Sequence, residues 1–315
     1  MRDVLIGKIH EKMLTDDNIF FLSADFGSPA LDKLRAECGK RFINVGIAEQ
    51  NLVNIATGLA LEGYTVYAYA IAPFLTMRAY EQIRNISLLS QIKEININLI
   101  GVGIGLSYDV TGPTHHCFED VSIMRVLPNF VLFSPCDYVT TEKLVAYTLN
   151  VKKPKYIRLD GKAQPVVYKN NNCLDIEKGF FELKQGEDIV IVSTGFMTHQ
   201  ALKVAEEFFK EEIVVGIVDV FLLKPVDEHL LYNTLSKYKH IITMEEAFIN
   251  RGGLDGIIEN ILRENKSTAE LTKLGFGNNY VFEVGNREYL HTVSGLSIKS
   301  IVNTIKARIN KKQLA

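Results

Sequence analysis

Apolar residues recur along this chain in two rhythms. Leu5, Ile6, Ile9 and Met13 make a stripe at helical spacing near the start. The short apolar run at 19–22 leads into Ser23-Ala24-Asp25-Phe26-Gly27-Ser28-Pro29, which reads as a buried strand followed by a turn. Further strands are expected at 42–45, 65–69, 95–102, 131–133 and 155–158. Between them, helices are expected at 48–61, stopped by Gly63, and at 74–89. Strand alternating with helix predicts a parallel sheet covered on both faces.

After Pro165 the chain turns polar, through Tyr168-Lys169-Asn170-Asn171-Asn172. A boundary is expected there, with one domain over 1–168 and a second over 175–315. The pattern then restarts, with strands at 189–193, 213–220 and 241–245. A helix is expected from Met197, another opens at Gly252-Gly253, and a last one runs to Ile309. The fold class is α/β: two open sheets, a mainly parallel one followed by a smaller one. Open parallel sheets bind ligands beyond the carboxyl ends of their strands. Chemistry is therefore expected in the loops at 25–29, 46–50, 70–74 and 101–116.

Composition narrows the picture. The 315 residues are 47% hydrophobic and 23% charged, ordinary for a globular protein with a sizeable core. The net charge of −2 gives no overall field to draw in nucleic acid or an anionic membrane. No apolar run approaches the roughly 18 residues of a membrane span. The opening stretch MRDVLIGKIHEKMLTDD mixes charged and apolar residues and does not read as a signal peptide. Cys38, Cys117, Cys136 and Cys173 are scattered with no CxxC, which suggests free thiols and a cytoplasmic location.

Generic motifs give little. Gly101-Val102-Gly103-Ile104-Gly105 follows a strand, but Leu106 stands where a dinucleotide loop needs its third glycine. There is no P-loop and no nucleophile elbow. His115-His116 makes a poor metal pair, because adjacent residues on an extended chain face opposite ways. Asn44-Val45-Gly46-Ile47-Ala48-Glu49-Gln50-Asn51 is more telling. It sets a carboxylate in the first turn of an otherwise apolar helix. By itself such a residue only complements the helix dipole.

Four segments read together carry more. Ser23-Ala24-Asp25, the motif at 46–50, Phe74 with Arg78-Ala79-Tyr80-Glu81-Gln82, and Gly112-Pro113-Thr114-His115 resemble the transketolase family in order and spacing. The resemblance covers the chain and matches that family's pyrimidine-binding and C-terminal domains. It implies thiamine diphosphate as cofactor, whose carbanion chemistry the protein orients. It also implies ketol transfer from a ketose to an aldose. Glu49 matches the glutamate that shares a proton with the cofactor's pyrimidine, Phe74 an aromatic residue that stacks on that ring, and Arg78 a pocket residue. Ile71 and Met77 are fallback contacts, and Asp25 matches an aspartate near the cofactor or the dimer interface. His115 matches the histidine that hydrogen-bonds the sugar donor. Arg2 and Arg158 resemble two arginines that grip the substrate phosphate, with Ser28 adding a hydroxyl.

The chain lacks the family's Gly-Asp-Gly; Asp160-Gly161 and Asp255-Gly256 have no preceding glycine. Magnesium (or calcium) and the diphosphate are thus expected on a separate chain carrying the diphosphate-binding domain, in an α2β2 assembly with the site between chains. Relatives usually carry Asp directly before Gly-Pro-Thr-His; here it is Thr111, with Asp109 nearby as a substitute. The donor and acceptor sugars stay open, pentose phosphate or specialised. Two other readings also stay open: the β subunit of a 2-oxo-acid dehydrogenase, and a non-catalytic scaffold. Glu245-Glu246 and Arg251-Gly252-Gly253 read as structural or interface features.

Overall fold

A computed structural model describes residues 1–169 and 174–310. The expected linker residues Asn170, Asn171 and Asn172, and Cys173, lie outside the described residues. Twelve strands among the described residues form two sheets: β1 Ile19–Ser23, β2 Phe42–Asn44, β3 Thr65–Ile71, β4 Asn96–Val102, β5 Val131–Phe133, β6 Lys155–Leu159, β7 Phe180–Lys184, β8 Ile189–Ser193, β9 Val215–Val220, β10 Leu222–Lys224, β11 His240–Phe248 and β12 Glu270–Phe276.

The first sheet runs β10-β5-β6-β4-β3-β1-β2, and the pairs among β1 to β6 are all parallel. Its central strands β4 and β6 are buried at every position, polar residues included, as expected of parallel strands covered on both faces. Even Lys155 is buried in β6. Its Nζ donates to the Asn96 side chain at 2.7 Å and to the Lys153 carbonyl at 2.9 Å, and burial pushes its pKa well down. The second sheet runs β12-β11-β8-β9-β7, with only β7 antiparallel to its neighbour among the described residues. Its own core forms around Ile191, Val204, Phe208, Met244 and Ile305.

Three features depart from the sequence-based expectation. Strand β10, from the second half, pairs antiparallel with β5 and closes the edge of the first sheet. The two halves are thereby interlocked, and an otherwise open row of backbone donors and acceptors on β5 is paired. Strands β7 and β12 were not expected; β12 has only partly buried positions along most of its length, so its apolar signal is weak. The segment expected as one helix over 74–89 is two pieces: a wide π-type turn, Phe74–Arg78, and an α-helix, Tyr80–Leu89.

Candidate active site

Four loops leave the carboxyl ends of β1 to β4 and meet above the first sheet. After β2, Asn44 Oδ1 accepts the Gly46 backbone N–H at 2.9 Å, and Asn44 Nδ2 donates to Asp25 Oδ1 at 2.7 Å. Gly46 takes φ 74°, a backbone region open to glycine, and turns the chain into the helix Glu49–Leu61. Glu49 is its first residue. It is only 3% exposed, yet the apolar Ile47 beside it is 76% exposed.

The π-type turn after β3 supplies the partners. Winding wider than an α-helix is a recurrent feature of functional sites, and here it brings Arg78 onto Glu49 and Phe74 onto Arg78. Arg78 Nη1 donates to Glu49 Oε2 at 2.7 Å, while the guanidinium lies 4.9 Å from the Phe74 ring centroid. Glu49 Oε1 accepts no hydrogen bond among the described residues. The His115 ring also meets Phe74 edge-on, at 5.1 Å. His115 Nδ1 lies 3.1 Å from the Thr114 hydroxyl.

The contacts continue without a break. Tyr108 meets His115 edge-on at 6.3 Å and Phe26 at 6.3 Å, and Phe26 stacks on Tyr69 at 5.2 Å. Burial pushes the Tyr108 hydroxyl up to about 12 and Tyr69 further still, with the Arg2 cation acting against that rise at both. Arg2 Nε donates to Asp3 Oδ1 at 2.7 Å, and the same oxygen accepts from the Ser28 hydroxyl at 3.1 Å. Ser28 also caps the helix Pro29–Glu37. One wall thus runs from Glu49 through Phe74, His115 and Tyr108 to Arg2 and Ser28.

Arg158 is the exception. It sits within β6, almost fully buried, with Nε and Nη2 on the Asp120 carboxylate at 2.9 and 3.0 Å and Nη1 on the Ser134 hydroxyl at 3.0 Å. Burial alone would lower its pKa, but Asp120 overrides this and raises it. The expectation that Arg158 grips a substrate phosphate is corrected: its fork is spent on an internal ion pair. Asp109 is likewise turned inward. Its Oδ2 accepts the Arg287 backbone N–H at 2.7 Å and pairs with Lys162, so it does not stand in for the missing aspartate at 111. Asp25 is exposed and acts on the site through Asn44.

Sequence reasoning passed over Tyr108, although its signal was there. Gly103 takes φ 95°, and a Cβ on it would collide with the Tyr108 ring. Gly105 takes φ 54°, and a Cβ there would collide with the Glu246 carboxylate. The glycines set aside as a failed dinucleotide loop clear room for these two side chains.

Residues 1–164 match the model of the transketolase pyrimidine-binding domain, and residues 181–301 that of the transketolase C-terminal domain. The chain belongs to the transketolase family. It is 30% identical over 299 residues to a putative transketolase C-terminal section of Methanocaldococcus jannaschii, covering 94% of this chain and 92% of that protein. It is 31% identical over 264 residues to one subunit of the apulose-4-phosphate transketolase of Actinobacillus succinogenes, covering 84% and 83%. A solved structure described as a split gene transketolase, inactive beta4 tetramer, superposes with a TM-score of 0.84 at 30% identity and covers 97% of both chains. This chain thus matches, over nearly its whole length, proteins named as one part of a transketolase, and the transketolase family uses thiamine diphosphate.

The residues present fit that cofactor's pyrimidine. A buried carboxylate with one uncommitted oxygen stands beside a half-buried aromatic ring, and Arg78 fixes the other oxygen. Such a site takes a flat ring with one protonatable nitrogen.

Proposed function

We propose that this chain supplies the pyrimidine-binding half of a ketol-transfer site that a second polypeptide completes. The observation that carries this is Glu49, a buried carboxylate whose free oxygen faces a wall built from one side only. Exposed Ile47 and Met77, at 76% and 41%, flank it and suit burial against another chain. The partner carries the diphosphate-binding domain and holds magnesium or calcium; two copies of each make the enzyme.

When bound, thiamine diphosphate supplies the carbanion chemistry. The chain's residues do the rest. Glu49 Oε1 holds a proton at the pyrimidine ring nitrogen N1′, and Arg78 keeps the carboxylate aimed. Phe74 stacks on the ring and excludes water. His115 hydrogen-bonds the donor's carbonyl or neighbouring hydroxyl. Arg2 and Ser28, joined by Asp3, receive the phosphate of a ketose phosphate. The Actinobacillus relative is named for apulose 4-phosphate, and Thr111 replaces the usual aspartate here, so the donor panel must extend beyond the common pentose phosphates.

The test is an assay of the chain with its partner, thiamine diphosphate and magnesium against ketose phosphates, with 2-oxo acids and lipoyl-lysine run in parallel. Two-carbon transfer from a ketose phosphate to an aldose is expected. Transfer only from 2-oxo acids would overturn the reading.

A further inference from the structure

Between His115 and the end of the wall at Arg2 and Ser28 stand two half-buried rings, Tyr108 and Phe26, which meet edge-on at 6.3 Å. We infer that Tyr108 sets donor specificity: it covers the middle of the donor with ring carbon, so the site takes a ketose phosphate that lacks a hydroxyl at C4 or C5. This rests on the reading that His115 holds the donor's carbonyl end and Arg2 its phosphate.

Tyr108 is firmly held. A Cβ on Gly103 would come within 2.0 Å of its ring carbon Cε2, and one on Gly161 within 3.1 Å of Cε1, so the ring fills a slot that two glycines leave open. Its neighbours in the chain are pinned as well. Ser107 Oγ accepts the Gly161 backbone N–H at 2.8 Å, and Asp109 accepts that of Arg287 at 2.7 Å. On the site side the ring lies against His115, edge-on at 6.3 Å. A side chain fixed in this way presents one surface to a ligand.

That surface is carbon. The Tyr108 hydroxyl oxygen is buried and has no hydrogen-bond partner among the described residues, so it is turned away from the wall's open side. Phe26 carries no polar side-chain atom. The nearby carboxylates are spent: Asp109 on Lys162 and the Arg287 N–H, and Asp160 on the Arg287 guanidinium and the Lys162 N–H. A donor hydroxyl pressed against these rings would lose water and gain no partner, whereas a methylene would gain apolar contact. Ketol transfer decides which carbon can be bare. The C2–C3 bond breaks with its electron pair staying on the two-carbon unit, and the C3 hydroxyl gives up its proton and becomes the product's aldehyde oxygen. C3 must therefore keep its oxygen, and in a 6-phosphate C4 and C5 remain.

The test compares fructose 6-phosphate with its 4-deoxy and 5-deoxy analogues as donors for the chain assembled with its partner, reading KM and kcat separately. One deoxy analogue is expected to have a KM at least about tenfold below that of the parent sugar, the effect of sparing one hydroxyl an unpaired burial. Tyr108→Asn, which replaces the ring with an amide able to bond a hydroxyl, should abolish that preference, and Tyr108→Phe should keep it. A purely structural role for Tyr108 would instead weaken all three donors alike and leave their ratio unmoved. Calorimetric binding of the same three compounds to the assembled complex reads the ratio without turnover, so a failure of ketol transfer is told apart from a failure of this inference. Preference for the parent sugar over both analogues, an unmoved ratio in Tyr108→Asn, a lost preference in Tyr108→Phe, or no binding of any of the three would each overturn it.

Discussion

At the scale of residues, carboxylates in three environments do three jobs. Glu49 is held by a single arginine and keeps one oxygen free, which is what a proton-sharing group needs. In the assembled enzyme, Glu49→Gln is expected to lower kcat by roughly a hundredfold or more, the usual worth of a positioned proton-transfer group. Circular dichroism and Tm should be unchanged. Asp120 is the opposite case, locked with Arg158 in a buried pair. Arg158→Met should leave Asp120 unpaired and cost about 3–5 kcal/mol of stability, read by denaturant unfolding, without a selective rise in KM for the phosphate. Asp219 is the third. It is buried beneath Thr198, Tyr168 and Cys136, which donate to it. Desolvation raises its pKa to about 6. Its folded pKa lies above its unfolded value, so the stability it contributes is full below about 3.8 and is lost as pH rises through 6. Asp219→Asn should therefore flatten the fall in Tm between about pH 4 and 6.

At the scale of elements, the loop carrying His115 is clamped from the other half of the chain. Glu246, on β11, accepts the Leu106 backbone N–H at 3.2 Å and the His291 ring at 2.5 Å, and holds Arg287. The Arg287 backbone N–H in turn holds Asp109. Burial would raise the Glu246 pKa, but Arg287 and His291 hold it well below the usual carboxylate range. The stability of this cluster is thus present at neutral pH and is lost as pH falls through the acidic range. Arg287→Met should destabilise the chain by about 3–5 kcal/mol, because Glu246 and Asp160 stay buried without the guanidinium that neutralises them. Adding Glu246→Gln should restore part of the loss in a double-mutant cycle. The parallel strands and the helix carrying Glu49 were legible from apolar runs and from the stop at Gly63, since those signals are local. Strand β10 and the true partners of Arg158 and Asp109 were not. Each depends on residues far along the chain, and an arginine in a strand reads alike whether it faces a ligand or a buried carboxylate.

At the scale of the whole molecule, two interlocked sheets present one half of a site. The aromatic wall from Glu49 to Arg2 has a floor and one side, and apolar Ile47 and Met77 stand exposed at its rim. A half-site of this kind has binding residues in place but not the second wall that excludes water and orients the reacting groups. The most direct measurement captures the partner on tagged protein, identifies it by mass spectrometry, and assays each chain alone and the pair for ketol transfer. A partner carrying Gly-Asp-Gly is predicted, with turnover by the pair, none by either chain alone, and loss of turnover in the Glu49→Gln pair. Turnover by this chain alone, or full turnover in the Glu49→Gln pair, would contradict the account.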